Sequence, residues 1–197
     1  MRMKRIVHAL LRAALRPLLP VIFRLCTLVL GIGSLGRNGG IILVELTRHK
    51  GRTIRLADGS EVKHGDRVIK LHLDNDWIAE RRQSGLRTGT AALPRGVLRC
   101  FRDGFRLLAA QVAEGSYGNV VAVYGWTVLH RGARRFGFQV FELPSTLRTR
   151  LAQFYITSLM RFYNIRGDGR YKSSRENLKV KEIWLSRDEF LRLHHSS

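Results

Sequence analysis

Asn119-Val120-Val121-Ala122-Val123-Tyr124-Gly125-Trp126-Thr127-Val128-Leu129 is apolar at both alternating sets of positions. Val120, Ala122, Tyr124, Trp126 and Val128 fall on one face of an extended chain, and Val121, Val123, Thr127 and Leu129 on the other. Such a strand belongs in the middle of a sheet, fully buried. Upstream, Pro94 opens a helix to about Ala113, with Val97, Leu98, Phe101, Phe105, Leu108 and Val112 on its apolar face. Earlier still, Arg67-Val68-Ile69-Lys70-Leu71-His72-Leu73 reads as a strand, and Asp74-Asn75-Asp76 caps a short helix from Trp77 to Arg82. Downstream, Arg131-Gly132-Ala133-Arg134 reads as a basic turn, making Phe136 to Leu143 the antiparallel hairpin partner of the Tyr124 strand. Pro144-Ser145 then starts a helix containing Leu147, Leu151 and Phe154. Val180 to Leu185 is a last strand, and Ser186 to Glu189 carries a capping-box signature for a final short helix.

From Arg67 to Leu185 the order is β, α, β, β, α, β, the split βαβ or ferredoxin-like order. The expectation is one α+β domain with a mixed or antiparallel sheet. Ile41 to Thr47 adds a strand. Thr53 to Leu56 and Ser60 to Lys63, joined at Asp58-Gly59, add a β-hairpin extension. A chain of 197 residues, 45% of them hydrophobic, can bury one core and little more. The chain divides into a basic amphipathic and apolar helical segment over 1–36 and the α+β domain over 37–197.

The N-terminal segment holds the densest charge. Residues 1–50 carry nine basic residues against Glu45 alone, within a net charge of +20. Wound as a helix, residues 2–19 place Lys4, Arg5, His8, Arg12 and Arg16 on one face and Ile6, Val7, Leu10, Leu11 and Leu18 on the other. The apolar stretch after Pro20 is interrupted by Arg24, which leaves too few uncharged residues for a membrane span. The pattern therefore predicts an interfacial helix that binds membrane through Lys4, Arg5, Arg12 and Arg16. Arg outnumbers Lys 28 to 7, which codon bias can produce; a shortage of acids it does not produce. The charge thus implies a polyanionic partner: an anionic membrane surface, an anionic or lipid-linked glycan, or nucleic acid. Cys26 and Cys100 have no metal-ligand spacing and read as buried reduced thiols.

Four short motifs carry possible chemistry. Gly31-Ile32-Gly33-Ser34-Leu35-Gly36 matches a dinucleotide fingerprint, but a strand follows where a helix should open, so it reads as a link and no cofactor is expected. Arg134-Arg135-Phe136-Gly137-Phe138-Gln139-Val140-Phe141 resembles the RNP1 strand of RNA-recognition domains, apart from Arg135 and Gln139. Used that way it would make the protein an RNA-binding module; otherwise its phenylalanines are core. At the strand end, His72 can serve as a general base oriented by Asp74, and His72, Asn75, Arg131 and Tyr124 form a candidate ligand site. His194-His195 reads as a frayed terminus, and no metal site is expected.

Three blocks together resemble one family. They are Leu46-Thr47-Arg48-His49-Lys50-Gly51-Arg52 running on to Leu71-His72-Leu73-Asp74-Asn75; Tyr124 to Phe141 with Leu129-His130-Arg131-Gly132-Ala133; and Lys181-Glu182-Ile183-Trp184-Leu185-Ser186-Arg187. Their order is similar to that of the YkoP-like family of bacterial proteins, over most of residues 20–190. The family is essentially uncharacterised, so the resemblance supplies no catalytic residue. Its members can be appended to polysaccharide deacetylases. That association implies, by analogy, a cytoplasmic, peripherally membrane-associated accessory protein of cell-envelope polysaccharide metabolism. An enzyme centred on His72 is the other expectation.

Overall fold

The computed structural model describes residues 36–37, 41–74, 95–147, 149–153, 156 and 179–195. The helices expected over 2–19 and 77–82 lie outside them, as do the glycine motif up to Leu35 and Cys26. Eight strands and three labelled helices follow in order: β1 (Gly36–Arg37), β2 (Ile42–Arg48), β3 (Ile54–Arg55), β4 (Glu61–Val62), β5 (Arg67–Leu73), α1 (Arg95–Ala113), β6 (Ala122–Thr127), α2 (His130–Arg134), β7 (Gln139–Phe141), β8 (Lys181–Ser186) and α3 (Arg187–His194). The fold is α+β around a mixed six-stranded sheet ordered β1-β2-β5-β6-β8-β7. Only the β5–β6 pair is parallel, and α1 makes the crossover between them.

Two expectations about topology are corrected. The ferredoxin-like arrangement would place the Phe138 strand beside β5, yet β6 lies there and β7 is at the far edge. The expected hairpin between the Tyr124 and Phe138 strands does not form either. Residues 130–134 are helical rather than a tight turn. The longer excursion carries the chain past one strand position, and β8 fills the gap, pairing antiparallel with both β6 and β7. The Asp58-Gly59 hairpin forms as expected. Leu56 and Ser60 close its loop, and Gly59 takes φ +84°, where an L side chain is strained.

The sheet has two differently covered faces. On one, α1 and α3 bury Ile42, Val44, Ile69, Val123, Ile183 and Leu185 beneath Phe105, Leu108, Val112 and Phe190. Gly104 lets α1 settle on β2, because a Cβ there would stand 3.0 Å from Ile42 Cδ1. On the other face the β3–β4 hairpin lays Ile54, Leu56 and Val62 over Val68, Ala122 and Trp184. The hairpin is tied down at its turn: Ser186 donates its hydroxyl hydrogen bond to Asp58, while the same oxygen accepts from the Glu189 N–H as the cap of α3. The helix expected after Pro144 is present at 149–153. Its start is secured by Thr146 and Thr149, whose hydroxyls accept each other's N–H.

His194 is not frayed, whereas His195 is exposed just past the helix. His194 is 7% exposed, among the rings of Phe105 (5.2 Å), Phe190 (5.0 Å) and Phe136 (6.4 Å), and its Nε2 donates to the Phe136 carbonyl at 3.0 Å. Gly137, at φ +89°, is fixed by the same packing, since a Cβ there would overlap Leu193. Burial holds the His194 imidazole below its ordinary pKa, against a smaller opposing pull from the Phe136 carbonyl. His130 is shifted the same way, first by burial and then by Lys181, Arg131 and Arg134. With the folded pKa depressed, the unfolded chain binds more protons just below the ordinary histidine range. Stability is therefore full above that range and declines as pH falls through it. We expect the melting temperature to drop between pH 7.5 and pH 5.5, and His194→Gln to remove a measurable part of that drop. An identical drop in the variant would show that His194 contributes nothing to it.

Candidate functional site

The strand register places side chains before any contact is considered. Positions 43, 45 and 47 of β2, 68, 70 and 72 of β5, 122, 124 and 126 of β6, and 182, 184 and 186 of β8 share the hairpin-covered face. The hairpin roofs Val68, Ala122 and Trp184, toward one end of these strands. Toward the other end the same face carries Glu45, Lys70, His72, Tyr124, Trp126 and Glu182. These are polar or amphipathic side chains on strands otherwise rich in Val, Ile and Leu.

Glu45 sits at the centre of this group. Its Oε2 is 2.9 Å from His72 Nε2 and 3.6 Å from Lys70 Nζ. All three side chains are nearly buried, at 12%, 16% and 10% exposed. Burial pushes the Glu45 carboxyl up, but the His72 hydrogen bond and the Lys70 charge together outweigh it and leave it below the usual carboxylate value. Glu45 is thus ionised at neutral pH. Lys70 Nζ also lies 5.7 Å from the centre of the Trp126 ring, within cation–π range. The Trp126 indole N–H donates to Glu182 Oε1 at 3.1 Å, and Tyr124 stacks on Trp184 at 4.4 Å. The result is two half-buried aromatic side chains, Tyr124 and Trp126, bordered by two carboxylates, an ammonium and an imidazole. This combination can offer ring surface to an apolar ligand face and hydrogen bonds to its hydroxyl, amine or acid groups.

The expected residues are partly gathered here. His72 and Tyr124 share the face. Arg131 is exposed on α2, and no contact links it to either of them among the described residues. Asn75, Lys4, Arg5, Arg12 and Arg16 lie outside the described residues. The partner that orients His72 is Glu45, across the β2–β5 ladder, and not Asp74. Asp74 is buried at the strand end, where its N–H donates to the Ile41 carbonyl. Glu45, Lys70, Trp126 and Glu182 escaped the sequence reading. One signal was available: charged residues at alternate positions of two strands whose other positions are apolar.

The packing of Phe138 speaks against the RNP1-like use of Phe136–Phe141. Phe138 is 2% exposed and packs 5.6 Å from Phe105 in the helix-side core; Phe136 precedes the strand and packs 5.2 Å from the same ring. Phe138 has no free face for a base, and Phe136 is half-buried against the core. Behind the polar group, on the helix side, an apolar cavity of about 70 Å³ is lined by Leu71, Phe101, Phe105, Gly125 and Ile183. His72, Trp126 and Thr127 also border it, and the rest of its lining is almost wholly apolar. Among the described residues, no three His, Cys, Asp or Glu side chains cluster as a metal site would need, and no helix is long and apolar enough to cross a membrane.

Comparison with known proteins places these features in a family. No solved structure matches the chain. A curated relative, "Uncharacterized protein YkoP" of Bacillus subtilis (strain 168), is 26% identical over 103 residues, or 51% of this chain and 54% of the relative. The chain therefore spans about half the length of the curated relative it matches. The YkoP domain model matches residues 15–194, nearly the whole chain and every element of the sheet, so the protein belongs to the YkoP domain family.

Proposed function

We propose that this protein is a glycan-binding accessory protein of bacterial envelope polysaccharide metabolism, held at the cytoplasmic face of an anionic membrane. The observation that carries the glycan reading is the group Glu45, Lys70, His72, Tyr124, Trp126 and Glu182 on one sheet face. A sugar ring has an apolar C–H face and a rim of hydroxyls, and this group offers half-buried rings beside fixed hydrogen-bonding charges. The association of YkoP-like domains with polysaccharide deacetylases agrees with it, by analogy. The net charge of +20 supports an anionic surface or an anionic, lipid-linked glycan as the companion.

A second reading has its own observation. The Glu45–His72 contact is the carboxylate–imidazole pair from which general bases are built. Turnover of a bound sugar that is lost in His72→Gln, with affinity retained, would make the site catalytic.

Calorimetric titration of the full chain with envelope-type oligosaccharides checks the main reading. Binding is expected, with Trp126→Ala weakening it about tenfold, the equivalent of ~1.4 kcal/mol. No heat of binding from any member of the panel would reject the reading.

The membrane reading rests on the basic face of residues 2–19, where each cation near an acidic surface is worth about 1 kcal/mol. In vesicle sedimentation, the full chain should pellet with anionic and not neutral vesicles, and less so at high salt. Replacing Lys4, Arg5, Arg12 and Arg16 with Gln should abolish most of that binding. Equal pelleting of the two proteins would refute the anchor.

A further inference from the structure

The solvent side of α1 carries a feature that neither the core nor the sheet-face group uses. Arg99, Arg102 and Arg106 follow one another at i, i+3 and i+7, and the row continues in sequence to position 95. At 3.6 residues per turn the three lie within an arc of about 60°, spaced about 4.5 and 6 Å along the axis. This arc points away from the sheet, for Phe105, Leu108 and Val112 occupy the opposite, buried side of the helix. Arg99 is 83% exposed, and Arg102 and Arg106 are exposed as well. Asp103 is the one acid in α1. It meets Arg99 only at 3.9 Å, and among the described residues Arg102 and Arg106 have no counter-ion.

Among the described residues of the helix layer, the charge without a partner follows a line. α3 packs beside α1, but its charges cancel locally: Arg192 with Glu189 at 2.5 Å, and Arg187 with Asp188 at 3.3 Å. A flat anionic bilayer docked on this layer would meet the exposed Asp188 as well as the arginines. A linear polymer laid along α1 meets three arginines in a row, with Asp103 on their flank beside Arg99. The α1 surface is also poor for single-stranded nucleic acid, because its aromatic rings, Phe101 and Phe105, pack against the core and leave no platform for stacked bases. All the basic residues of α1 are arginine, whose planar fork grips carboxylate, sulfate or phosphate with two parallel hydrogen bonds.

We propose that the arginine ridge of α1 binds an acidic polysaccharide chain lengthwise, through its regularly repeated anionic groups. The ridge lies on the helix layer and the Glu45–Trp126 group on the opposite sheet face, so the protein would hold a charged glycan at a second surface. The polymer's being a glycan rests on the reading of the sheet-face group; the ridge's preference for a line of anions does not.

The test uses the full chain and a fluorescent heparin dodecasaccharide, followed by anisotropy across a salt series. Two triple variants are compared: Arg99→Gln, Arg102→Gln, Arg106→Gln on the ridge, and Lys50→Gln, Arg52→Gln, Arg135→Gln at exposed positions elsewhere. Both lose the same charge, and unchanged melting temperatures confirm folding. The ridge variant should bind roughly thirtyfold more weakly, and its log–log salt slope should fall by about three, one per cation removed. The control should lose less than about threefold, and a heparin disaccharide should bind far more weakly than the dodecasaccharide. Equal losses in the two variants would overturn the proposal, because net charge alone would then explain binding. So would a ridge variant that binds heparin normally but fails on phosphatidylcholine–phosphatidylglycerol vesicles or on single-stranded DNA. The ridge variant should keep its affinity for uncharged oligosaccharides; failure of the unmutated chain to bind any of them counts against the sheet-face site and not the ridge.

Discussion

Trp184 holds the two layers of the hairpin-covered face together. It sits in the middle of β8, opposite Tyr124 of β6 on one side and Gln139 of β7 on the other. It is fully buried, stacked on Tyr124 and met edge-on by His49 at 5.2 Å. Among the described residues its indole N–H has no hydrogen-bond partner, which costs about 1–3 kcal/mol. Burial of so large a ring, of similar or greater magnitude, outweighs that. With β8 fixed by this contact, β6 becomes central, β7 becomes an edge, and the hairpin gains a floor. The Asp58–Ser186 bond then closes the hairpin over it.

The same placement of β8 explains what the sequence displayed and what it concealed. Local patterns were readable: the Asp58-Gly59 turn, the strand Arg67–Leu73, the apolar stripe of α1 and the Ser186 cap all depend on neighbours a few residues away. Strand order is not local. Arg131-Gly132-Ala133-Arg134 has a turn-like composition, but these residues form a helical turn that buries His130 and carries the chain across to β7. Nothing in those residues announces that a strand nearly 50 positions later will enter the gap. His194 misled for a similar reason, since it lies near the chain's end yet meets a pocket of rings drawn from α1, α3 and Phe136.

The candidate site was half legible. His72 and Tyr124 stood out as polar or aromatic residues in apolar strands, but their grouping depends on register. Glu45 lies opposite Lys70 in the β2–β5 ladder, and Lys70 lies beside Tyr124 in the β5–β6 pair. Asp74, nearer to His72 in sequence, is buried at the strand end, and its backbone N–H closes on the Ile41 carbonyl. A nearly buried Glu–Lys–His group contributes little net stability compared with an apolar core of the same volume, because desolvation offsets most of the attraction. Its presence beside half-buried aromatic side chains is therefore better explained by recognition than by folding.

The central claim is that the Trp126 end of the sheet face takes up a sugar while the Trp184 end, under the hairpin, does not. The indole N–H signals of these two residues report on it directly in a ¹⁵N-correlated spectrum of the full chain during titration with an envelope-type oligosaccharide. We expect the Trp126 signal to shift progressively and saturate, since its N–H bonds Glu182 within the proposed site, while the Trp184 signal holds its position. A Trp126 signal that stays unmoved at saturating sugar, or a shift confined to Trp184, would contradict the assignment of this face as the binding surface.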